Sequence, residues 1–104
     1  MSTTMNHFAG WTTTRLNGKT VWVESFEAAT HFQRKATATK ELASLRELSV
    51  IGAKNGATEE AMLYLQGLML EATRKVIAAN RKAQNKGWYV IDDERMQQYK
   101  KDVA

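Results

Sequence analysis

Two short stretches near the start of the chain, residues 9–16 and 19–24, separate into a more apolar and a more polar set when alternate residues are taken together. Such a separation is typical of β-strands, because successive side chains of a strand point to opposite faces. Asn17-Gly18 separates the two stretches and favours a type I′ turn, since both residues tolerate a positive φ. The pattern therefore predicts a β-hairpin over residues 9–24.

A long helix is predicted after the hairpin, over residues 26–53. Ser25 can cap its first turn, where Glu27 favours the positive end of the helix dipole. The β-branched threonines of "ATATK" (36–40) disfavour a helix, so a break near those residues is the alternative. Asn55-Gly56 then indicates the end of this helix.

A second helix is predicted over residues 59–85, with Thr58 as its cap. Its apolar stripe follows spacings of three and four residues: Met62, Leu65, Met69, Ala72, Val76 and Ala79. Gly87 indicates the helix end, and the apolar run "WYVI" (88–91) predicts a short strand. A short helix is expected over residues 93–102.

These elements predict an α+β fold that is mostly helical. An N-terminal β-hairpin packs on a long helical hairpin, and a short strand and a short helix follow. A chain of 104 residues can build one modest core, so we expect a single domain over residues 1–104. Residues 1–8 are predicted to be a polar, frayed start.

Leu63, Leu70 and Ile77 lie on a flank of the second helix, well away from its main stripe. One interpretation is that the two long helices pack on each other and on the sheet, so that this flank is covered. The alternative is a homodimer through the helical hairpin, in which a second copy covers the flank.

Composition excludes several classes of protein. The chain has no cysteine, which removes disulfides and thiolate sites and fits a reducing cytoplasm. No apolar run approaches the roughly 20 residues that span a bilayer, and the start lacks the pattern of a secretory signal. We therefore expect a cytoplasmic protein with no membrane partner. A net charge of +4 favours an acidic partner, nucleic acid first.

Motifs of enzyme chemistry are missing from the sequence. The two histidines, His7 and His31, stand apart, and there is no Walker loop, HExxH or GxSxG. His31 is expected to be half-buried or solvated. The run Asp92-Asp93-Glu94 resembles a set of metal ligands, but capping of the last helix explains it better. We therefore expect no catalytic residue, no metal and no cofactor.

Residues 73–87 contain five basic residues and no acidic one: Arg74, Lys75, Arg81, Lys82 and Lys86. The pairs 74/81 and 75/82 are each seven residues apart, so they lie along the side facing away from the apolar stripe. One interpretation is a solvated helix face whose cations favour the negative end of the helix. The other is a stripe that contacts nucleic-acid phosphates.

A two-residue turn fixes the pairing of the hairpin strands and therefore the composition of each face. Val21 and Val23 lie on a face that is apolar enough to pack on the following helix. The opposite face carries aromatic, arginine and threonine side chains: Trp11, Thr13, Arg15, Thr20 and Trp22. Either residues 88–91 cover the tryptophans, or this face recognises nucleic acid or protein.

The stretch "WTTTRLNGKTVWVESFEAATHF" (11–32) resembles the hairpin and helix start of a family of DNA-binding domains. These domains occur at the amino termini of phage-type tyrosine recombinases and in APETALA-type plant factors. Their sheet lies in the DNA major groove, so the resemblance implies DNA contacts by Trp11, Thr13, Arg15, Thr20 and Trp22. Glu24 stands where the family has glycine, and the family's first strand has no counterpart in residues 1–9.

Two functional hypotheses are consistent with these patterns. The first is a small non-enzymatic accessory protein of a phage or mobile element, which binds nucleic acid, DNA rather than RNA, in the host cytoplasm. The second is a protein-binding module. Such a module would be a phage inhibitor of a host enzyme or defence complex, or a small homo-oligomeric assembly component.

Overall fold

A computed structural model describes residues 8–103, so the predicted polar start over residues 1–7, with His7, lies outside the described part. Two strands come first, followed by two long helices, a two-residue strand and a last helix. Their bounds are β1 (Thr12–Leu16), β2 (Lys19–Val23), α1 (Phe26–Lys54), α2 (Glu59–Lys86), β3 (Ile91–Asp92) and α3 (Asp93–Val103). The predicted fold class is confirmed, since the chain is α+β and mostly helical.

The hairpin turn has the predicted geometry. Asn17 and Gly18 both have positive φ, at 53° and 79°, as a type I′ turn requires. The strands pair antiparallel in the expected register, in which Thr14 is opposite Val21 and Thr13 is opposite Trp22. Each strand is shorter than predicted, since pairing begins at residue 12 and ends at residue 23.

Helix α1 is continuous, so the break considered at residues 36–40 does not occur. The hydroxyl of Thr39 donates a hydrogen bond to the carbonyl of Lys35 at 2.9 Å, which satisfies its polar group inside the helix. Ser25 is the predicted cap, because its Oγ accepts the N–H of Ala28 at 3.1 Å.

The connection from α1 to α2 also follows the sequence prediction. Gly56 has a φ of 72°, and the N–H of Ala57 donates to the carbonyl of Gly52 at 2.8 Å, which closes the end of α1. Thr58 then caps α2 by accepting the N–H of Ala61 at 3.1 Å.

The predicted strand over residues 88–91 is wrong for most of its length. Gly87 has a φ of 69°, and the N–H of Trp88 donates to the carbonyl of Ala83 at 2.9 Å. Trp88 therefore completes the C-terminal cap of α2 and packs its ring on the adjacent core instead of joining the sheet. Pairing with β2 begins only at Ile91, which lies opposite Trp22.

The chain divides into two compact units. Within the described residues, the first comprises residues 8–33 and 83–103, and it contains the sheet and α3. Its core joins the hairpin to the start of α1 and the end of α2 through these buried side chains: Val23, Ala28, Ala29, Phe32 and Ala83.

The second unit, Arg34–Lys82, is a helical hairpin. Leu42 and Leu45 of α1 pack against Ala72 of α2, with the half-buried Leu65, Leu68 and Met69 around them. The predicted stripe of α2 therefore faces α1. The other flank of α2 is open in the single chain, because Leu63 is 59%, Leu70 52% and Ile77 47% exposed.

Replacing Gly67, inside α2, and Gly87, at its C-terminal cap, by alanine should change the stability of the protein in opposite directions. A Cβ at Gly87 or Gly67 meets no atom within 4 Å, so only backbone conformation differs between the two sites. Because Gly87 is left-handed, Gly87→Ala should destabilise the protein by about 1 kcal/mol. Gly67 lies inside the helix, so Gly67→Ala should stabilise it by about 0.5–1 kcal/mol. Urea unfolding of both variants measures this, and equal effects would contradict the assigned cap.

Candidate binding surfaces

The two faces of the hairpin are sorted as predicted. Val21 and Val23 are buried, and so is Thr14, whose hydroxyl accepts a hydrogen bond from the Gln33 side chain at 2.7 Å. On the opposite face Thr13 and Arg15 are exposed. The strand alternation therefore separates the buried face of the hairpin from the opposite face.

Trp22 does not form an open platform on that face. Its indole N–H donates to the carboxylate of Asp93 at 2.9 Å, and the ammonium of Lys100 lies 4.2 Å from the centre of its ring. The side chain is half-buried. Ile91, at the end of the apolar run 88–91, lies opposite Trp22 in the sheet, so this run takes part in the cover as one interpretation of the sequence expects. Helix α3 adds the hydrogen bond and the cation–π contact, which join it to β2.

The environment of Asp93 favours its ionised form. The hydrogen bond from Trp22 lowers the pKa of this carboxyl below its ordinary value of 3.8, and a second from Gln97 and the charge of Lys100 act in the same direction. Partial desolvation opposes them without reversing the shift. Asp93 is therefore a carboxylate at neutral pH, and it accepts hydrogen bonds from both neighbours.

Trp11 belongs to a small aromatic cluster formed with Phe8, Tyr89 and Tyr99. Its ring meets Phe8 edge to face with centroids 5.0 Å apart and Tyr89 with centroids 5.3 Å apart. Phe8 in turn lies 4.8 Å from Tyr99 of α3. Phe8 is thus half-buried, and the prediction of a frayed start fails at that residue. No local pattern in the sequence connects residues 8, 11, 89 and 99.

Arg15 is exposed but partly occupied by its own turn. One guanidinium nitrogen donates to the carbonyl of Gly18 at 2.6 Å, and another lies 3.4 Å from the hydroxyl of Thr20. Of the five hairpin residues proposed to contact a partner, Thr13 and Arg15 are exposed, whereas Trp11, Thr20 and Trp22 are half-buried.

An open cleft of about 390 Å³ lies beside the hairpin. It is lined by three consecutive carboxylates and two residues of β2: Asp92, Asp93, Glu94, Lys19 and Thr20. Among residues 8–103 no group of three or more histidine, aspartate or glutamate side chains is arranged to hold a metal ion. With three carboxylates and one lysine, the lining carries a net negative charge, which disfavours phosphate at this edge of the sheet.

The basic segment of α2 is accessible along its whole length. All five of its cationic side chains are exposed: Arg74, Lys75, Arg81, Lys82 and Lys86. The rows 74/81 and 75/82 are about 100° apart around the helix axis, so the basic surface is broad rather than a single line. Lys86 belongs to the first compact unit and lies 6.0 Å from the ring of Trp88.

His31 is a core residue. It is buried, rather than half-buried or solvated as expected, and its ring lies 5.2 Å from that of Phe32 and 5.3 Å from that of Trp88. The placement of Trp88 at the cap of α2 explains this burial, because the indole covers the histidine.

Comparisons with known proteins add no family. No protein-family model matches the chain, and no curated protein or solved structure was found to be similar to it. None of the helices over residues 8–103 combines the length and the apolar character needed to cross a bilayer.

The Asp93 carboxylate should contribute a defined part of the pH dependence of stability. Because its folded pKa lies below the ordinary value, its contribution is fully present above pH 3.8 and is lost as the pH falls through the folded pKa. The free energy of unfolding of the wild type should therefore fall more steeply below pH 3.8 than that of Asp93→Asn.

In Trp22→Phe the largest cause of the shift is removed, so the pKa of Asp93 should move back toward 3.8 in a carboxyl NMR titration. Parallel unfolding profiles for wild type and Asp93→Asn, with no change of this pKa in Trp22→Phe, would show that the contact is not formed in solution.

Proposed function

We propose that the chain is a small, non-enzymatic nucleic-acid-binding protein whose basic segment of α2 contacts phosphates. The observation that carries this proposal is the accessibility of all five cations between residues 74 and 86, a stretch with no acidic residue. Lysine and arginine side chains on an exposed helix neutralise phosphates and release counterions, which supplies most of the affinity of such proteins.

The hairpin has a smaller role in this proposal than the sequence suggested. Trp22 is held by Asp93 and Lys100, and the acidic cleft adjoins Thr20. Of the five hairpin residues in the predicted contact set, Thr13 and Arg15 remain accessible to a backbone or base edge. We therefore infer binding with little base preference, dominated by phosphate contacts. DNA is the proposed ligand rather than RNA because the hairpin resembles DNA-binding sheets.

The direct test is a fluorescence titration of a labelled DNA duplex at several salt concentrations. Lys75→Glu with Lys82→Glu should weaken binding at least about tenfold and reduce the slope of log affinity against log salt by roughly 2, because each phosphate contact contributes about 0.9. Arg74→Glu with Arg81→Glu should behave in the same way.

The matched control is Lys40→Glu with Lys54→Glu, two exposed cations of α1 whose reversal changes the net charge equally. This control should bind nearly as tightly as the wild type. If all the double variants lose affinity by the same factor, only net charge matters and α2 is not the contact surface. Absence of binding by the wild type at low salt would refute the proposal.

A protein-binding module is the second candidate, and one observation favours it. The second compact unit exposes seven large apolar side chains: Leu48, Val50, Ile51, Leu63, Tyr64, Leu70 and Ile77. Tyr64 is the most exposed of them, at 69%. Exposed apolar side chains mark a protein interface where they form a contiguous patch, which is the premise of this candidate. In this role the chain would act as an inhibitor of a host enzyme or as an assembly component.

A pull-down from nuclease-treated lysate of the source cell separates the two candidates. Phosphate binding predicts that no stoichiometric protein remains once nucleic acid is digested. A stoichiometric partner that survives nuclease, and is lost on Leu48→Glu or Tyr64→Glu, would instead establish the second candidate.

A further inference from the structure

Seven exposed residues form a row along one side of α2, and the sequence intervals between them are the same when read from either end of the row. Its members are separated by four, three, four, four, three and four residues, and all are exposed: Glu59, Leu63, Gln66, Leu70, Arg74, Ile77 and Arg81. The mean spacing is about 3.7 residues, close to the helical repeat, so the row stays on one side of the helix for roughly 33 Å. Leu70 is its midpoint.

The chemistry of the row is complementary about that midpoint. When two copies of α2 lie antiparallel with their Leu70 side chains in contact, residues equally distant from Leu70 meet. Leu63 then meets Ile77 of the second copy, and Glu59 meets Arg81. Gln66 meets Arg74, whose guanidinium can donate to the amide oxygen. Apolar groups thus contact apolar groups, and opposite charges contact each other.

We propose that two copies of this chain associate by antiparallel packing of this row, related by a two-fold axis at Leu70. A two-fold interface must be self-complementary, since the same surface occurs on both copies. The row meets that requirement in its apolar centre and in its charged ends. A parallel pair would instead place Glu59 against Glu59 and Arg81 against Arg81, which is unfavourable.

A second copy explains this face better than a nucleic acid does. Phosphates do not require the three exposed aliphatic side chains, and Glu59 would repel them. The surface is small: seven side chains from one helix supply roughly 500 Å² per copy, less than the ~800 Å² of a standard interface. The dimer should therefore be weak, with a dissociation constant on the order of 10 μM.

This association and the proposed phosphate binding can be tested by different residues. The row 75/82 lies about 100° away around α2 and stays outside the paired surface. Arg74 and Arg81, by contrast, would serve the dimer, so that reversing them affects both properties. Reversal of Lys75 and Lys82 tests nucleic-acid binding alone, and substitution of Leu70 tests dimerisation alone.

Sedimentation velocity over a concentration series tests the association. The wild type should pass from monomer to dimer between about 1 and 100 μM. Leu70→Glu places two like charges together at the axis and should leave only monomer over that range. Tyr64→Glu is the matched control, because Tyr64 is as exposed on the same helix but lies off the row, and it should dimerise like the wild type. Circular dichroism verifies that both variants stay folded.

Cysteine cross-linking tests the antiparallel register, since the natural chain has no cysteine. Leu63→Cys and Ile77→Cys, mixed and oxidised, should form a disulfide between the two variants, while each variant alone should cross-link poorly. Disulfides between two copies of the same variant, with none between the two different variants, would show parallel packing and overturn the proposal. A wild type that stays monomeric at all concentrations, or a Tyr64→Glu variant that loses the dimer as Leu70→Glu does, would also overturn it.

Discussion

The turn at Asn17-Gly18 is the constraint on which the first compact unit depends. Because both residues take positive φ, a loop of two residues connects the strands, and this short loop fixes which residues of β1 and β2 pair. Val21 and Val23 are then buried on one face, and Val23 packs with Ala28 and Phe32. Trp22, on the opposite face, is placed where Asp93 and Lys100 of α3 can hold it. A slip of one residue would exchange these two faces.

Most of the fold can be predicted from interactions between residues that are close in sequence. The caps at Ser25 and Thr58, the turn register and the stripe of α2 each depend on residues close in sequence, so pattern and propensity suffice. The contact of Trp22 with α3 could not be predicted in this way, because its partner Asp93 is 71 residues away. The short apolar run "WYVI" predicts a strand, but because Gly87 is left-handed, Trp88 instead completes the cap of α2.

The predicted contact set on the hairpin differs from the accessible residues of the structure for the same reason, namely contacts between residues distant in sequence. Tryptophan and arginine on an open hairpin face are typical of recognition, and that interpretation assumes the face stays uncovered. For Trp22 this assumption fails, because Asp93 and Lys100 of α3 contact its side chain. The same helix also places the carboxylates of Asp93 and Glu94 in the adjacent cleft. The basic residues of α2 did not depend on such long-range packing, and they are exposed as expected. The proposed nucleic-acid contacts therefore lie on the basic segment of α2, while Trp22 on the hairpin face contacts α3.

The most direct measurement is a titration of ¹⁵N-labelled protein with a short DNA duplex, followed by amide and indole resonances. We expect the amide signals of residues 74–86 to shift, while the indole N–H signal of Trp22 stays in place because Asp93 holds it. Shifts confined to the hairpin and to the Trp22 indole, with α2 unchanged, would contradict the assignment of the binding surface to α2.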